Sequence, residues 1–233
     1  MPSSKTPRTT GASRSARSSP AKKPVHFTAK GPSSHEIRII GGQWRRTRLK
    51  VLDKPGLRPT PDCVRETLFN WLGQDLSGWR CVDAFAGTGV LGLEAASRGA
   101  AHVLMVEQDA VLVRDLQDNA TRLKASMVSV QRGDAVSTLG RLPAGSVDLV
   151  FIDPPFDGPW FDPALKAATR AVPVGGWIYL EAPVAWPADA LAILGLSCER
   201  HLKAGAVHAH LLQRVTPESA PASIATSSEG DTP

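Results

Sequence analysis

The stretch Cys81-Val82-Asp83-Ala84-Phe85-Ala86-Gly87-Thr88-Gly89-Val90-Leu91-Gly92 decides the fold. A short apolar run ends near a carboxylate, and a turn with glycines at 87, 89 and 92 follows. The chain then enters an apolar segment that reads as a helix. Strand, glycine turn and helix in that order make a βα unit that takes a nucleotide-type ligand against its backbone. Glycines suit such a turn because a Cβ would hold the ligand away from the chain.

Downstream of this unit the same alternation continues. Residues 81–85 read as the first strand of the sheet and 89–98 as a helix ended by Gly99. Residues 102–106 form a second strand ending at Glu107. A helix over 109–124 carries Leu112, Leu116, Ala120 and Leu123 on one stripe. A third strand over 127–130 leads to Gly133-Asp134, and a fourth, 147–152, is apolar enough to be buried on both faces. A helix over 163–171, a strand over 176–180 and a hairpin of 196–202 with 207–214 complete the pattern. The spacing predicts an α/β fold, Rossmann-like, with a mostly parallel seven-stranded sheet closed by an antiparallel pair.

Upstream, Ile37-Arg-Ile-Ile-Gly-Gly-Gln-Trp44 changes from a β-rich run to a Gly-Gly turn, and Arg45, Arg46, Arg48 and Lys50 follow. This predicts a small β-hairpin with one basic face. Thr60-Pro61 reads as a helix start, with the hydroxyl as N-cap and proline at the first helical position. Val64, Leu68, Trp71 and Leu72 recur at helical spacing after it. Four segments are expected. They are a disordered basic tail (1–34), the hairpin extension (35–58), the main domain (59–215) and a disordered polar tail (216–233).

The chain has 233 residues, 42% apolar and 21% charged, and a net charge of +5. That charge is unevenly placed: residues 1–58 carry 14 Lys/Arg against 2 Asp/Glu, whereas residues 59–233 carry a net −7. A basic arm on an acidic body points to a polyanion, most simply nucleic acid. Cys63, Cys81 and Cys198 include no CxxC pair and suit a reducing cytosol. No apolar run reaches membrane-spanning length and residues 1–34 hold no apolar signal core, so a cytoplasmic location is expected.

Asp83, four residues before the first glycine, would repel a pyrophosphate and attract an ammonium group. S-adenosylmethionine has an amino-acid end and no phosphate. Glu107 is placed to accept from two ribose hydroxyls, and Asp134 either bonds an adenine amine or caps the next turn. Asp153-Pro154-Pro155-Phe156 closes the fourth strand. The prolines stop the strand, leaving a carboxylate and carbonyls at the sheet edge. An exocyclic base amine is a poor nucleophile because its lone pair is delocalised into the ring. Acceptors on its two hydrogens, the Asp153 carboxylate and the Pro154 carbonyl, draw the nitrogen toward tetrahedral geometry and free that pair. Phe156 can stack on a flipped-out base.

Taken together, Ile37–Trp44, Gly56-Leu-Arg-Pro-Thr60, Val64-Arg-Glu-Thr-Leu-Phe-Asn-Trp71, Asp83–Gly89 and Asp153–Phe156 resemble the bacterial 16S ribosomal RNA guanine-N2 methyltransferases, the small-subunit rRNA methyltransferase D family. The resemblance covers about residues 36–215. It implies a class I methyltransferase domain, S-adenosylmethionine as donor and a guanine of 16S rRNA as substrate. The rRNA would lie within an assembled or nearly assembled 30S subunit. With the residue chemistry above, it assigns Asp83, Phe85, Gly87, Gly89, Glu107 and Asp134 to the donor. Asp153, Pro154 and Phe156 go to the base, and Arg38, Arg45, Arg46, Arg48, Arg58 and Thr60 to the RNA. No metal and no membrane partner are expected, and a monomer is.

The rivals are a DNA or RNA adenine-N6/cytosine-N4 methyltransferase, an NAD-type oxidoreductase and a non-catalytic RNA-binding factor. His208 and His210 share one face of the last strand and are expected to be structural. Cys63 and Cys81 are expected in the core.

Overall fold

Five parallel strands and an antiparallel pair make the central sheet. The computed structural model describes residues 36–216 apart from 53, 55, 56 and 58. The expected basic tail, residues 217–233 and Arg58 therefore lie outside the described residues. The described residues all belong to one compact unit, Pro32–Pro233.

The element order is β1 (Glu36–Arg38), β2 (Arg48–Lys50), α1 (Asp62–Trp71), β3 (Arg80–Asp83), α2 (Val90–Ser97), β4 (His102–Glu107), α3 (Ala110–Arg122) and β5 (Val128–Arg132). There follow α4 (Ala135–Arg141), β6 (Leu149–Ile152), α5 (Phe161–Ala171), β7 (Trp177–Ala182), α6 (Ala188–Ile193), β8 (Leu196–Ala204) and β9 (Val207–Arg214). The sheet runs β5-β4-β3-β6-β7-β9-β8. This is the Rossmann-like class I methyltransferase architecture expected from the sequence. β3 lies in mid-sheet, where its flanking strands β4 and β6 mark the reversal of strand order at which ligands bind.

β6 (Leu149-Val150-Phe151-Ile152) is buried along its whole length, which is why its sequence shows no alternation. Its side chains feed two cores. Leu149 and Phe151 join Leu68, Phe69, Leu93, Met105 and Tyr179 on the α1–α2 side. Val150 and Ile152 join Leu139, Leu165, Ile178 and Leu212 on the α4–α5 side. Strand ends coincide with expectation or differ from it by one or two residues, and β7 runs on to Ala182. The short helices α4 and α6 were not anticipated.

The hairpin is pinned to α2, and α2 is buried on every face because it lies between the hairpin and the sheet. The Gln43 N–H donates to the Ser97 carbonyl at 2.7 Å, and the Trp44 N–H to the Ser97 hydroxyl at 3.0 Å. Gly42 has φ +70°, and a Cβ there would sit 1.8 Å from the Ser97 carbonyl oxygen. The Gly-Gly turn is thus required by the close approach of the two backbones.

One expected cap is corrected. Pro61, not Thr60, is the N-cap of α1, and α1 has no side-chain cap bond. Asp62 supplies negative charge in the first turn in place of a cap. The Thr60 hydroxyl is directed elsewhere, to two carboxylates.

Candidate active site

Three strand ends converge at the carboxyl edge. In the sheet, Asp83 pairs with Phe151 and Phe151 with Tyr179. Two residues further along, on the same face, Asp153 leaves β6 and Glu181 lies near the end of β7. Asp83 is buried, and its Oδ2 accepts from the Gly92 N–H at 2.9 Å. Burial pushes the Asp83 carboxyl up to about 7, with the Gly92 bond opposing and the Glu107 charge adding. Glu181 is buried and accepts from the Tyr179 hydroxyl at 2.8 Å. The Thr60 hydroxyl acts on both Asp153 and Glu181.

Burial raises the Asp153 carboxyl well above the usual range, and the charges of Glu181 and Asp83 raise it further. Burial raises Glu181 too, against the hydrogen bonds of Tyr179 and Thr60. Burial and the neighbouring Glu181 hold the Tyr179 hydroxyl protonated. Among the described residues, no cation acts on any of the three carboxylates. A cluster this short of positive charge suits a cationic ligand.

The glycine turn lies beside it, joined through the Gly92 N–H to Asp83. Gly89 caps α2 in the left-handed region at φ +74°, and a Cβ there would meet the Leu116 Cδ2 at 2.3 Å. Glu107 spans the turn: its Oε2 accepts from the Gly87 N–H at 3.0 Å and its Oε1 from the Asp109 N–H at 2.8 Å. Each oxygen keeps a second lone pair for a ribose hydroxyl. Phe85, half-buried, packs against the α4–α5 core. Asp134 caps α4 by accepting from the Ser137 N–H at 2.7 Å, which pulls its carboxyl below the usual range. The Ser137 hydroxyl also bonds the Asp134 carboxylate.

In the Asp153–Phe156 loop, Pro154 is buried and Phe156 is 39% exposed. The Phe156 ring lies 6.3 Å from Phe161, which lies 6.4 Å from Trp186, so the exposed ring heads a short aromatic row. His210 serves that row. Its Nε2 accepts from the Trp186 N–H at 3.2 Å while Nδ1 faces the Leu180 carbonyl, and burial pushes its pKa down to about 4. His201 Nε2 and His208 Nδ1 lie 2.9 Å apart.

The arginines fall into two groups. Arg45 and Arg46 are exposed. Arg38 pairs with Asp62 at 2.9 Å and Arg48 with Glu36 at 3.3 Å, both at the surface. A surface cleft of about 430 Å³ lies between the hairpin and α1, with Gly41, Arg45, Asn70, Gln74 and Arg98 in its wall. Thr60, only 5% exposed, sits with the carboxylates rather than with these arginines.

Two groups escaped the sequence. Glu181 and Tyr179 sit in an apolar run; the signal was a charge two residues after a tyrosine at the end of a buried strand. Glu94, fully buried, joins the hairpin to α1 and α2. It accepts from the Ile40 and Gly41 N–H groups at 2.9 and 2.8 Å and from the Arg98 and Arg65 guanidiniums at 2.9 and 3.4 Å.

Residues 37–213 match the family model described as Conserved hypothetical protein 95. The chain belongs to this family. Among curated relatives of this chain is the Ribosomal RNA small subunit methyltransferase D of Escherichia coli K12, 48% identical over 135 residues. That match covers 58% of this chain and 65%, just under two thirds, of the relative. The solved Escherichia coli protein yhhF superimposes with a TM-score of 0.67 at 36% identity, covering 77% of this chain and 98% of that one. The precorrin-6y C5,15-methyltransferase of Geobacter metallireducens, at 19% identity and a TM-score of 0.56, shares the fold alone.

Proposed function

We propose that this protein transfers a methyl group from S-adenosylmethionine to the exocyclic N2 amine of a guanine in 16S ribosomal RNA. The observation that carries this is the unbalanced carboxylate edge, where Asp83 of the glycine turn and Asp153 of the Asp-Pro-Pro-Phe loop share one face. The relative named for ribosomal RNA small-subunit methylation supports the substrate class. The donor, when bound, supplies an activated methyl group on a positively charged sulfur.

The protein's own residues do the rest. Asp83 and the helix N-terminus hold the donor's amino-acid end, and Glu107 holds its ribose, with Phe85, Gly87, Gly89 and Asp134 completing the cradle. Asp153 and the Pro154 carbonyl accept the two amine hydrogens and orient the nitrogen lone pair at the methyl carbon. Among the described residues no backbone donor is bonded to the Pro154 carbonyl, which leaves its lone pairs for the amine. Phe156 stacks on the flipped base. Arg45 and Arg46 meet phosphates, joined by Arg38 and Arg48 once their surface pairs exchange, since such pairs are weak. The natural substrate in this account is a 30S particle, and the enzyme works as a cytoplasmic monomer. No described helix is long and apolar enough to cross a membrane.

Labelled S-adenosylmethionine offered with undermethylated 30S particles, naked 16S RNA and DNA oligonucleotides tests this. Label should enter one guanine of the particle. Label on DNA adenine or cytosine amines would replace the proposal with the rival amino-methyltransferase.

A further inference from the structure

We propose that Glu181 is the proton-holding partner of Asp153: a cationic donor arriving at the carboxyl edge expels a proton shared by the pair, and methyl transfer returns one. This goes further than the site assigned above and rests on its donor, S-adenosylmethionine.

A count of hydrogens carries it. Glu181 receives the Tyr179 hydroxyl at 2.8 Å. The Thr60 hydroxyl acts on both Glu181 and Asp153 yet has one hydrogen to give. Asp83 takes the Gly92 N–H. The groups acting on the cluster are Thr60 before α1, Gly92 of α2, Asp83 of β3, Glu107 of β4, and Tyr179 of β7. All are neutral or acidic. Among the described residues nothing positive offsets the pair, so a proton is the remaining hydrogen that can join two neighbouring carboxylates. The upward displacement of both carboxyls agrees with that count.

The chemistry balances without another reactant. The amine lone pair forms the nitrogen–carbon bond, and the carbon–sulfur bond breaks with its electrons going to sulfur. The sulfur becomes neutral, and the nitrogen carries one proton too many. Asp153, already bonded to that N–H, takes the proton and shares it with Glu181. The donor's positive charge thus leaves the site as a product-neutral thioether and remains as a proton on the pair. The site's charge is the same before the donor enters and after transfer.

Calorimetry of the full-length chain near neutral pH tests this, in two buffers of different ionisation enthalpy. S-adenosylmethionine should release a fraction of a proton, at most about one, on binding. S-adenosylhomocysteine, which lacks the sulfonium charge, should release clearly less. Glu181→Gln should lose most of the excess release of S-adenosylmethionine over S-adenosylhomocysteine, the remainder coming from Asp83 at the ammonium, while binding S-adenosylmethionine within a few-fold. Tyr179→Phe, which removes one hydrogen from the pair, gives a second test: the pH above which donor affinity levels off should move upward. Binding of S-adenosylmethionine with no buffer dependence in the wild type, or unchanged release in Glu181→Gln, would overturn the role of Glu181 and leave the donor intact. Failure of the wild type to bind S-adenosylmethionine would overturn both.

Discussion

Glu94 and Asp153 are both carboxylates withdrawn from solvent, and their surroundings are opposite. Glu94 is closed off by two backbone N–H groups and two guanidiniums, and Asp62, the second carboxylate on Arg65, brings the charges of this cluster into balance. Asp153 has Glu181 and Asp83 as its charged neighbours and a single hydroxyl to oppose them. A balanced buried cluster needs no ligand and fixes architecture; here it joins the hairpin to α1 and α2. An unbalanced one stores a mismatch that a bound cation relieves. The contrast separates a cluster that builds this protein from the one proposed to work in it.

The largest effect expected is at the balanced cluster. Glu94→Ala leaves Arg98 buried without its carboxylate, Arg65 with Asp62 alone and two N–H groups unbonded, costing about 3–5 kcal/mol. Denaturant unfolding measures it, and a loss below about 1 kcal/mol would erase the distinction drawn here.

Removing charge from the other cluster should do the reverse. Asp83 rises from 3.8 to about 7 on folding, so the native state binds its proton more readily than the unfolded chain. Its stabilising contribution is complete below pH about 4 and is lost as pH rises through 7. Asp83→Asn should therefore stabilise the ligand-free protein at pH 8 by roughly 2–4 kcal/mol and change little at pH 4, while weakening donor binding. Parallel stability–pH curves for the two proteins would contradict this.

Two smaller effects concern the RNA. Phe156→Ala should cost about 1–3 kcal/mol of RNA binding if the ring stacks on a base, and leave the donor affinity unchanged. Replacing Arg45 and Arg46 together by glutamine should lower the salt slope of RNA binding by about 1.5–2, reflecting two lost phosphate contacts. An unchanged slope would remove the hairpin tip from the interface.

Much of the candidate site was legible because its functional groups lie in contiguous residues. Asp83 to Gly92 and Asp153 to Phe156 each carry their own strand end, turn and functional group. Glu181 was not legible, since its partners come from a neighbouring strand end and from the segment before α1. Glu94 shows the same limit: its i,i+4 bond to Arg98 looks like any surface pair until Arg65 and the hairpin backbone close over it. The helices α4 and α6, of 7 and 6 residues, are too short for a repeating apolar stripe to show. Thr60 was misread as a cap because a hydroxyl before a proline fits that pattern locally, and only the fold reveals the carboxylates competing for it.

The central claim is that Asp153 activates the substrate amine and is not needed to hold the donor. Asp153→Ala, assayed for methylation of 30S particles and for S-adenosylmethionine binding in parallel, tests it most directly. The account predicts a fall of about 10²–10³-fold in methylation, with donor affinity kept within a few-fold. Methylation at the normal rate would contradict it.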